Sequence, residues 1–196
     1  MCLLFETVKI VNGKPENLEL HDQRMNRSRY MLHGMHDQLR LTDIIHVPEE
    51  FCKGVVRCRV IYGPAVVSTE YLPYFPLPVK TLLLVVADSI EYSHKYLDRN
   101  LLTGLIDKNK ADDILIVKNG WVTDSSFANI VFTDGKRWVT PDTPLLQGTM
   151  RKKLLSEGII VQESISIDHL REFTRFKLIN AMLGFSFPDL PVSNIF

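Results

Sequence analysis

The alternation of apolar and polar positions predicts a β-hairpin at the start of the chain. Leu3 to Val11 alternates loosely and is rich in strand-forming residues, and Asn12-Gly13 is a signal for a tight turn. We expect Leu18 to Leu20 to return as the second strand. Between Asp22 and Leu39 the apolar residues recur at helical spacings, which predicts one amphipathic helix with a candidate break at Gly34.

Two more strands and a proline-rich segment follow in the first half. Val55 to Ile61 alternates, and Ala65 to Tyr71 comes after a Gly-Pro turn, which predicts an antiparallel pair. The closely spaced prolines of YLPYFPLPVK (residues 71–80) exclude a continuous helix or a central strand. We therefore expect a small N-terminal α/β domain at residues 1–74, a linker at 75–80 and a C-terminal domain at 81–196.

The second half contains short strands, turn signals and helices. Asn119-Gly120 and Asp134-Gly135 are strong hairpin signals. The predicted elements are a buried strand at Thr81–Ala87, a helix at about Leu97–Lys108, strands at Ile114–Lys118, Trp121–Thr123, Ile130–Thr133 and Arg137–Thr140, a helix at about Thr149–Glu157, a strand near Ile159–Val161, a helix near Ile167–Phe173 and a strand near Phe176–Ile179. Strands outnumber helices, so the predicted fold class is α+β.

Composition excludes several classes of function. Lys+Arg and Asp+Glu are equal at 23 each, so no overall basic field attracts nucleic acid or anionic membranes. The three cysteines are odd in number and lack C-x-x-C spacing, which argues against a disulfide framework or a structural zinc site. The longest apolar run, Leu82 to Ala87, is far shorter than the roughly 20 residues of a membrane span. We expect a cytoplasmic protein without a metal, a nucleic-acid partner or a membrane partner.

Lys95 is the first candidate for chemistry. It lies in the segment EYSHKYLDR (residues 91–99), between the predicted strand and the predicted helix. A lysine that forms a Schiff base must be deprotonated to attack, and the end of a strand that opens on a pocket can shelter it. On this segment alone, an interfacial surface lysine is the better interpretation.

Two motifs change that interpretation. The run KYLDR that starts at Lys95 resembles K-x-L-N-R, with Asp98 where Asn is usual, and GWVTDSSFAN (residues 120–129) is similar to G-x-V-x-E-x-x-x-x-N. Both patterns occur in the fold-type IV pyridoxal 5′-phosphate (PLP) enzymes, which include branched-chain and D-amino-acid aminotransferases and aminodeoxychorismate lyase. The resemblance implies PLP held as a Schiff base on Lys95. It also implies that Asp124 faces the protonated pyridine nitrogen, a role that requires a carboxylate.

Three further runs resemble the phosphate-binding segments of the same family. LQGTMR (residues 146–151) is similar to L-P-G-I-T-R, which opens a helix, and the N–H groups at a helix N-terminus bind phosphate. LINAM (178–182) resembles I-C-N-A-L of the lyases, and HDQR (21–24) is similar to H-x-x-R. The implied phosphate ligands are Arg24, Thr149, Met150, Asn180 and Ala181. The alternatives are a plain helix start, a strand end and a solvated arginine, and His21 is expected to have a structural role.

Arg57 and Arg59 are candidates for substrate binding. They are two residues apart on one predicted strand, so both side chains should point to the same face. In the family that this chain resembles, the strand lines the substrate pocket, and two guanidinium groups there suit a substrate with one or two carboxylates. Paired surface arginines are the alternative.

The resemblance covers almost the entire chain and implies a specific fold and function. It implies a D-amino-acid aminotransferase-like fold, with a larger β-rich C-terminal domain, that assembles as a homodimer. The family usually has about 20 to 30 more residues ahead of the first hairpin, so this chain begins inside the first domain. The motifs are closest to the lyase, which eliminates pyruvate from 4-amino-4-deoxychorismate to give 4-aminobenzoate for folate biosynthesis. The alternatives are an aminotransferase for D- or branched-chain amino acids and a PLP-binding protein without turnover.

Overall fold

The computed structural model describes residues 2–76 and 78–196, which form two compact units. Unit 1 consists of the chain up to Pro76 together with His94–Asp98. Unit 2 consists of the segment that ends at Ser93 together with Arg99–Phe196. The short segment that carries Lys95 therefore packs with unit 1, although the residues on both sides of it belong to unit 2.

Unit 1 is an antiparallel sheet covered on one face by helices. Its elements are β1 (Leu4–Val11), β2 (Lys14–Pro15), α1 (Leu18–His33), α2 (Leu41–Ile44), a 3₁₀ turn at Glu49–Phe51, β3 (Val55–Tyr62) and β4 (Val66–Pro73). The strand order is β2-β1-β3-β4. Leu4, Val8 and Ile10 of β1 are fully buried and belong to one cluster with Met25 of α1 and Leu41 of α2. Side chains at the intervening positions of β1 point to the opposite face of the sheet.

The hairpin and the first helix differ in part from the prediction. The Asn12-Gly13 turn is confirmed, with positive φ at both residues. The second strand is Lys14–Pro15, and the prediction of a strand at Leu18–Leu20 is wrong, because Asn17 adopts a left-handed conformation (φ 55°) that leads directly into α1. The helix ends at the predicted break, where Gly34 has φ 65°, and does not continue to Leu39.

The segment from His94 to Asp98 is held at the edge of β1. Phe5 N donates a hydrogen bond to Lys95 O (3.0 Å), and Leu97 N donates to Leu3 O (2.9 Å), around an antiparallel bridge between Leu4 and Tyr96. Backbone hydrogen bonds on both sides of Tyr96 fix the direction of the segment. Lys95 is therefore positioned by strand pairing rather than by the start of a helix.

Unit 2 is built on a mixed eight-stranded sheet. Its elements are β5 (Leu82–Val86), α3 (Asn100–Thr103), β6 (Asp113–Lys118), β7 (Trp121–Ser125), β8 (Asn129–Thr133), β9 (Trp138–Pro141), α4 (Thr149–Ser156), β10 (Val161–Glu163), β11 (Arg175–Ile179) and β12 (Leu190–Pro191), with 3₁₀ turns at Asp168–Glu172 and Val192–Asn194. The main path is β10-β9-β8-β7-β6-β5, and β11 pairs with β8 and β12. The pairs β5/β6 and β9/β10 are parallel.

Two predicted helices of unit 2 are wrong. The helix expected at Leu97–Lys108 is only the single turn α3, since Gly104 ends it and the Asp107 side chain then accepts a hydrogen bond from Asn109 N. The helix expected at Ile167–Phe173 is a 3₁₀ turn. The strands and hairpins of unit 2 agree with the prediction within a few residues, and the mixed α+β class is confirmed. Within the described residues, no helix has both the length and the apolar character needed to cross a membrane.

Candidate active site

In unit 1, the cationic side chains of Lys95 and Arg59 both lie close to the aromatic ring of Phe5. The Lys95 ammonium nitrogen lies 4.6 Å from the ring centroid, and the guanidinium carbon of Arg59 lies 5.1 Å from it. Phe5 alternates with Leu4 and Glu6 along β1, so its ring lies on the sheet face opposite to the helices. Lys95 and Arg59 therefore share one aromatic surface, at a distance typical of cation–π contacts.

Arg57 and Arg59 project from that same face, as the sequence predicted. In the register between β1 and β3, Arg57 pairs with Lys9 and Arg59 with Thr7. The Nε atom of Arg59 is buried and has no hydrogen-bond partner among the described residues. A buried polar group without a partner is uncommon, and an unpaired guanidinium N–H is well suited to an anionic ligand.

Arg24 is held on the helix-covered face by a buried carboxylate. Its Nε donates to Glu6 Oε1 (2.9 Å) and its Nη2 donates to Glu6 Oε2 (2.5 Å), while His21 Nδ1 lies 2.6 Å from Glu6 Oε2. Burial raises the pKa of Glu6, but the charge of Arg24 and the hydrogen bonds from His21 and Arg24 lower it to about 2. Glu6 is thus ionised at neutral pH and orients the guanidinium group of Arg24. His21 has the expected structural role, because it is hydrogen-bonded to Glu6.

In unit 2, Asp124 is a buried carboxylate held by two neutral donors. Its Oδ1 accepts a hydrogen bond from Asn129 Nδ2 (2.7 Å), and its Oδ2 accepts one from Leu146 N (2.9 Å). Burial raises the pKa of Asp124 to about 6, and these hydrogen bonds and the charge of Arg151 limit the rise. A carboxylate with this pKa strongly favours a positive partner, because a neighbouring cation stabilises its charged form.

Asn129 and Gly148 connect Asp124 to the loop before α4. Asn129 Nδ2 donates to Leu146 O (2.9 Å) as well as to Asp124. A Cβ atom added to Gly148 would lie 1.9 Å from Asn129 Oδ1. Gly148 has φ −68° and ψ 141°, which any residue can adopt, so glycine is required here for close approach and not for backbone conformation.

Thr149 and Met150 form the first turn of α4, which begins where the sequence predicted. Both residues are buried, and Gly148 is the N-cap. The first N–H groups of a helix have no intrahelical acceptor, and together with the helix dipole they favour an anion. The donors required of a phosphate site are therefore present at this helix start.

Asn180 and Ala181 follow β11, beside the start of β8. Ile179, the last residue of β11, pairs with Asn129. The Asn180 Oδ1 atom accepts hydrogen bonds from Met182 N and Leu183 N, each at 2.9 Å. The side chain of Asn180 thus shapes a tight turn. Within unit 2, Asn129 is hydrogen-bonded to Asp124, lies against Gly148, which precedes Thr149, and pairs with Ile179, which precedes Asn180.

Arg151, the last residue of the run LQGTMR, is a buried residue that the motif alone did not mark as functional. It is 2% exposed. Its guanidinium donates to Thr140 Oγ1 (3.3 Å), Pro141 O (2.8 Å), Gln147 Oε1 (3.1 Å) and Gln162 Oε1 (2.8 Å). A cation in the first turn of a helix opposes the helix dipole, and this unfavourable placement is the sequence signal that could have identified it.

Comparisons with known proteins match this chain to one family over most of its length. Residues 3–187 match the family model described as Amino-transferase class IV. An uncharacterized protein of Haemophilus influenzae is 42% identical over 187 residues, which cover 94% of this chain and 100% of the relative.

Two solved structures have the same fold. A crystal structure from Haemophilus somnus, provisionally described as a 4-amino-4-deoxychorismate lyase, has a TM-score of 0.88 and 34% identity, covering 94% of this chain and 98% of that one. The PLP-bound form of a hypothetical aminotransferase from Mycobacterium tuberculosis has a TM-score of 0.76 and 16% identity, covering 99% of this chain and 81% of that one.

Proposed function

The chain belongs to the class IV aminotransferase family of PLP-dependent enzymes, and on that premise we propose that it is a 4-amino-4-deoxychorismate lyase. The reaction eliminates pyruvate and releases 4-aminobenzoate. The observation that carries the proposal is the buried Asp124 carboxylate, which is poised to accept a cationic partner. The choice of substrate is supported by 34% identity to the Haemophilus somnus structure and by the lyase-like runs KYLDR and LINAM.

Each unit, taken by itself, contains side chains or backbone N–H groups whose chemistry suits a polar group of PLP. Lys95 is proposed to hold the cofactor covalently, and Asp124 to pair with its ring nitrogen. The proposed phosphate ligands are Arg24, Thr149, Met150, Asn180 and Ala181. Asp is one methylene shorter than the usual Glu, but the hydrogen bonds from Asn129 and Leu146 fix its position. When bound, PLP supplies an electron sink for the bond that breaks at the substrate carbon.

Lys95 is proposed to act first as a nucleophile and then as a base. With PLP bound, the Lys95 amine would be the group that holds the cofactor, and once free it would be the base that removes the proton from the substrate carbon that bears the nitrogen. Backbone hydrogen bonds from Phe5 N to Lys95 O and from Leu97 N to Leu3 O fix the backbone from which the Lys95 side chain extends. Asp124 would pair with the protonated ring nitrogen, and that positive charge would favour the ionised carboxylate that burial disfavours.

Arg57 and Arg59 are proposed to bind the substrate carboxylates. Their side chains leave the sheet on the face where Lys95 contacts Phe5. The buried Nε of Arg59, which lacks a partner among the described residues, favours a ligand carboxylate that completes its hydrogen bonds. This preference fits 4-amino-4-deoxychorismate, which carries two carboxylates.

From the family resemblance, we also propose that the enzyme is a cytoplasmic homodimer.

The proposal is tested by incubating the purified holoenzyme with 4-amino-4-deoxychorismate. The lyase forms 4-aminobenzoate and pyruvate in equal amounts and leaves the absorbance band of the bound cofactor unchanged after turnover. An aminotransferase instead converts that band to the pyridoxamine form when D- or branched-chain amino acids are added. A yellow protein that reacts with neither class contradicts the lyase and supports a PLP-binding protein without turnover.

A further inference from the structure

The side chain of Lys177, on β11 of unit 2, contacts two aromatic rings. Its Nζ atom lies 4.6 Å from the centroid of the Phe185 ring and 5.0 Å from the centroid of the Trp138 ring. The same Nζ atom donates a hydrogen bond to Phe185 O (3.1 Å). The two rings meet edge to face, with their centroids 5.5 Å apart. The half-buried ammonium group is therefore attracted to both rings and to a carbonyl oxygen.

The contact between Lys177 and Phe185 joins the two ends of a turn at residues 180–184. Lys177 lies before this turn on β11, and Phe185 follows it directly. Within the turn, Gly184 N donates a hydrogen bond to Asn180 O (3.0 Å). Gly184 has φ 68°, a left-handed conformation that favours glycine. The ammonium group of Lys177 thus holds the chain where it leaves the turn.

A buried cluster connects the two rings to the start of α4. Trp138 and Phe185 pack against a hydrophobic cluster that includes Met150 of α4 and Ile179 of β11. Ile179 directly precedes the 180–184 turn, and Met150 lies in the first turn of α4. Because packed side chains transmit small displacements to their neighbours, the position of Phe185 bears on both of these segments. They are the two segments of unit 2 to which phosphate binding is assigned above.

We propose that Lys177 is a positioning residue for the cofactor phosphate, because its contacts with the two rings hold the 180–184 turn ready to bind that group. The inference rests on the proposed phosphate role of Asn180 and Ala181. A turn that is ordered in advance loses less conformational entropy when the phosphate binds, which raises the affinity. Order of the turn is measured without any substrate, so the lyase assignment and this inference can fail independently of each other.

Substitutions can separate the charge of Lys177 from its bulk. Lys177→Met keeps a long apolar side chain and loses the ammonium group, whereas Lys177→Arg keeps a cation beside the rings. Phe185→Leu keeps an apolar side chain against the buried cluster and removes one ring. Lys136→Met, at an exposed lysine between β8 and β9, is the matched control.

The first measurement is the Kd of the cofactor-free full-length protein for PLP and for pyridoxal, which has the same ring and aldehyde but no phosphate. We expect Lys177→Met to raise the Kd for PLP roughly tenfold and the Kd for pyridoxal less than about twofold, because only PLP uses the turn. Phe185→Leu should raise the Kd for PLP about threefold. Lys177→Arg and Lys136→Met should stay within about twofold of the wild type for both ligands.

The second measurement is hydrogen–deuterium exchange of the same proteins without ligand. The backbone N–H groups of residues 182–184 all donate hydrogen bonds to Asn180, so their exchange reports whether the turn is closed. We expect this exchange to be roughly tenfold faster in Lys177→Met, while the amides of β8 keep their wild-type rates.

Two results overturn the proposal. The first is a Kd for PLP that is unchanged in Lys177→Met, or that rises in step with the Kd for pyridoxal, since a merely structural role weakens both ligands alike. The second is wild-type exchange at residues 182–184 in Lys177→Met, which means that the ammonium group does not hold the turn. If Lys177→Met does not fold, the same two readings on Phe185→Leu decide the matter.

Discussion

Gly148→Ala is the substitution whose effect the structure specifies most sharply. The added Cβ would lie 1.9 Å from Asn129 Oδ1 and 3.1 Å from its Cγ, so the Asn129 amide must move by more than about 1 Å to reach an ordinary contact. That movement breaks the hydrogen bonds from Asn129 to Asp124 (2.7 Å) and to Leu146 O (2.9 Å). The loop that presents α4 loses its connection to Asp124.

The magnitude follows from two opposing effects. Loss of one buried hydrogen bond to a carboxylate and one to a carbonyl costs about 2 to 4 kcal/mol in the free energy of unfolding. Alanine can adopt the backbone conformation of Gly148. Because it lowers the conformational entropy of the unfolded chain, it stabilises the protein by about 0.4 to 1 kcal/mol. The lost hydrogen bonds outweigh the entropic gain, and we expect the free energy of unfolding to fall by about 2 to 3 kcal/mol.

The assay is urea unfolding in a double-mutant cycle with Asn129→Ala. The three atoms nearest to the added Cβ all belong to the Asn129 side chain, so Asn129→Ala removes the collision. In that background, Gly148→Ala should be neutral or slightly stabilising, which gives a coupling of about 2 kcal/mol or more. An equal cost of Gly148→Ala in both backgrounds would refute the reasoning.

Three more predictions follow from the buried charges. Burial raises the pKa of Asp124 from 3.8 to about 6, so the stability that this carboxyl contributes is present below about pH 4 and is lost as the pH rises through 6. Asp124→Asn should abolish this pH-dependent change, which amounts to about 3 kcal/mol in the free energy of unfolding, measured by urea unfolding of the cofactor-free protein. Glu6→Gln should cost about 3 kcal/mol or more at neutral pH, because it leaves Arg24 without its carboxylate, whereas the exposed Glu19→Gln should cost less than about 0.5 kcal/mol. Arg59→Gln should raise the KM for 4-amino-4-deoxychorismate about tenfold or more with a smaller change in kcat, while the exposed Arg137→Gln leaves both constants unchanged.

Local sequence patterns predicted most of the strands, because their signals are short-range. The hairpins at Asn12-Gly13 and Asn119-Gly120 have positive φ at both turn residues, and this requirement is visible in the dipeptide itself. The candidate break at Gly34, where α1 ends, rests on the same kind of signal, although the helix was predicted to run from Asp22 to Leu39. The predicted strand at Leu18–Leu20 was wrong, since the three-residue run Leu-Glu-Leu fits the start of a helix as well as a strand.

The position of Lys95 could not be predicted in the same way. The motif identified the residue, but the Lys95 backbone pairs with Phe5, and the Leu97 backbone with Leu3, about 90 residues earlier in the chain. No local periodicity encodes such a contact. Glu6 is an intermediate case, because an acidic residue in the buried phase of an alternating strand indicates a partnered charge, although the sequence does not say that Arg24 and His21 supply it.

The most direct test of the central claim is reduction of the PLP-loaded protein with borohydride, followed by peptide mapping. The account predicts a yellow protein and one pyridoxyl group fixed on Lys95, with none on the peptide from a Lys95→Ala control. A protein that stays colourless after incubation with PLP, or a pyridoxyl group on any other lysine, would contradict it.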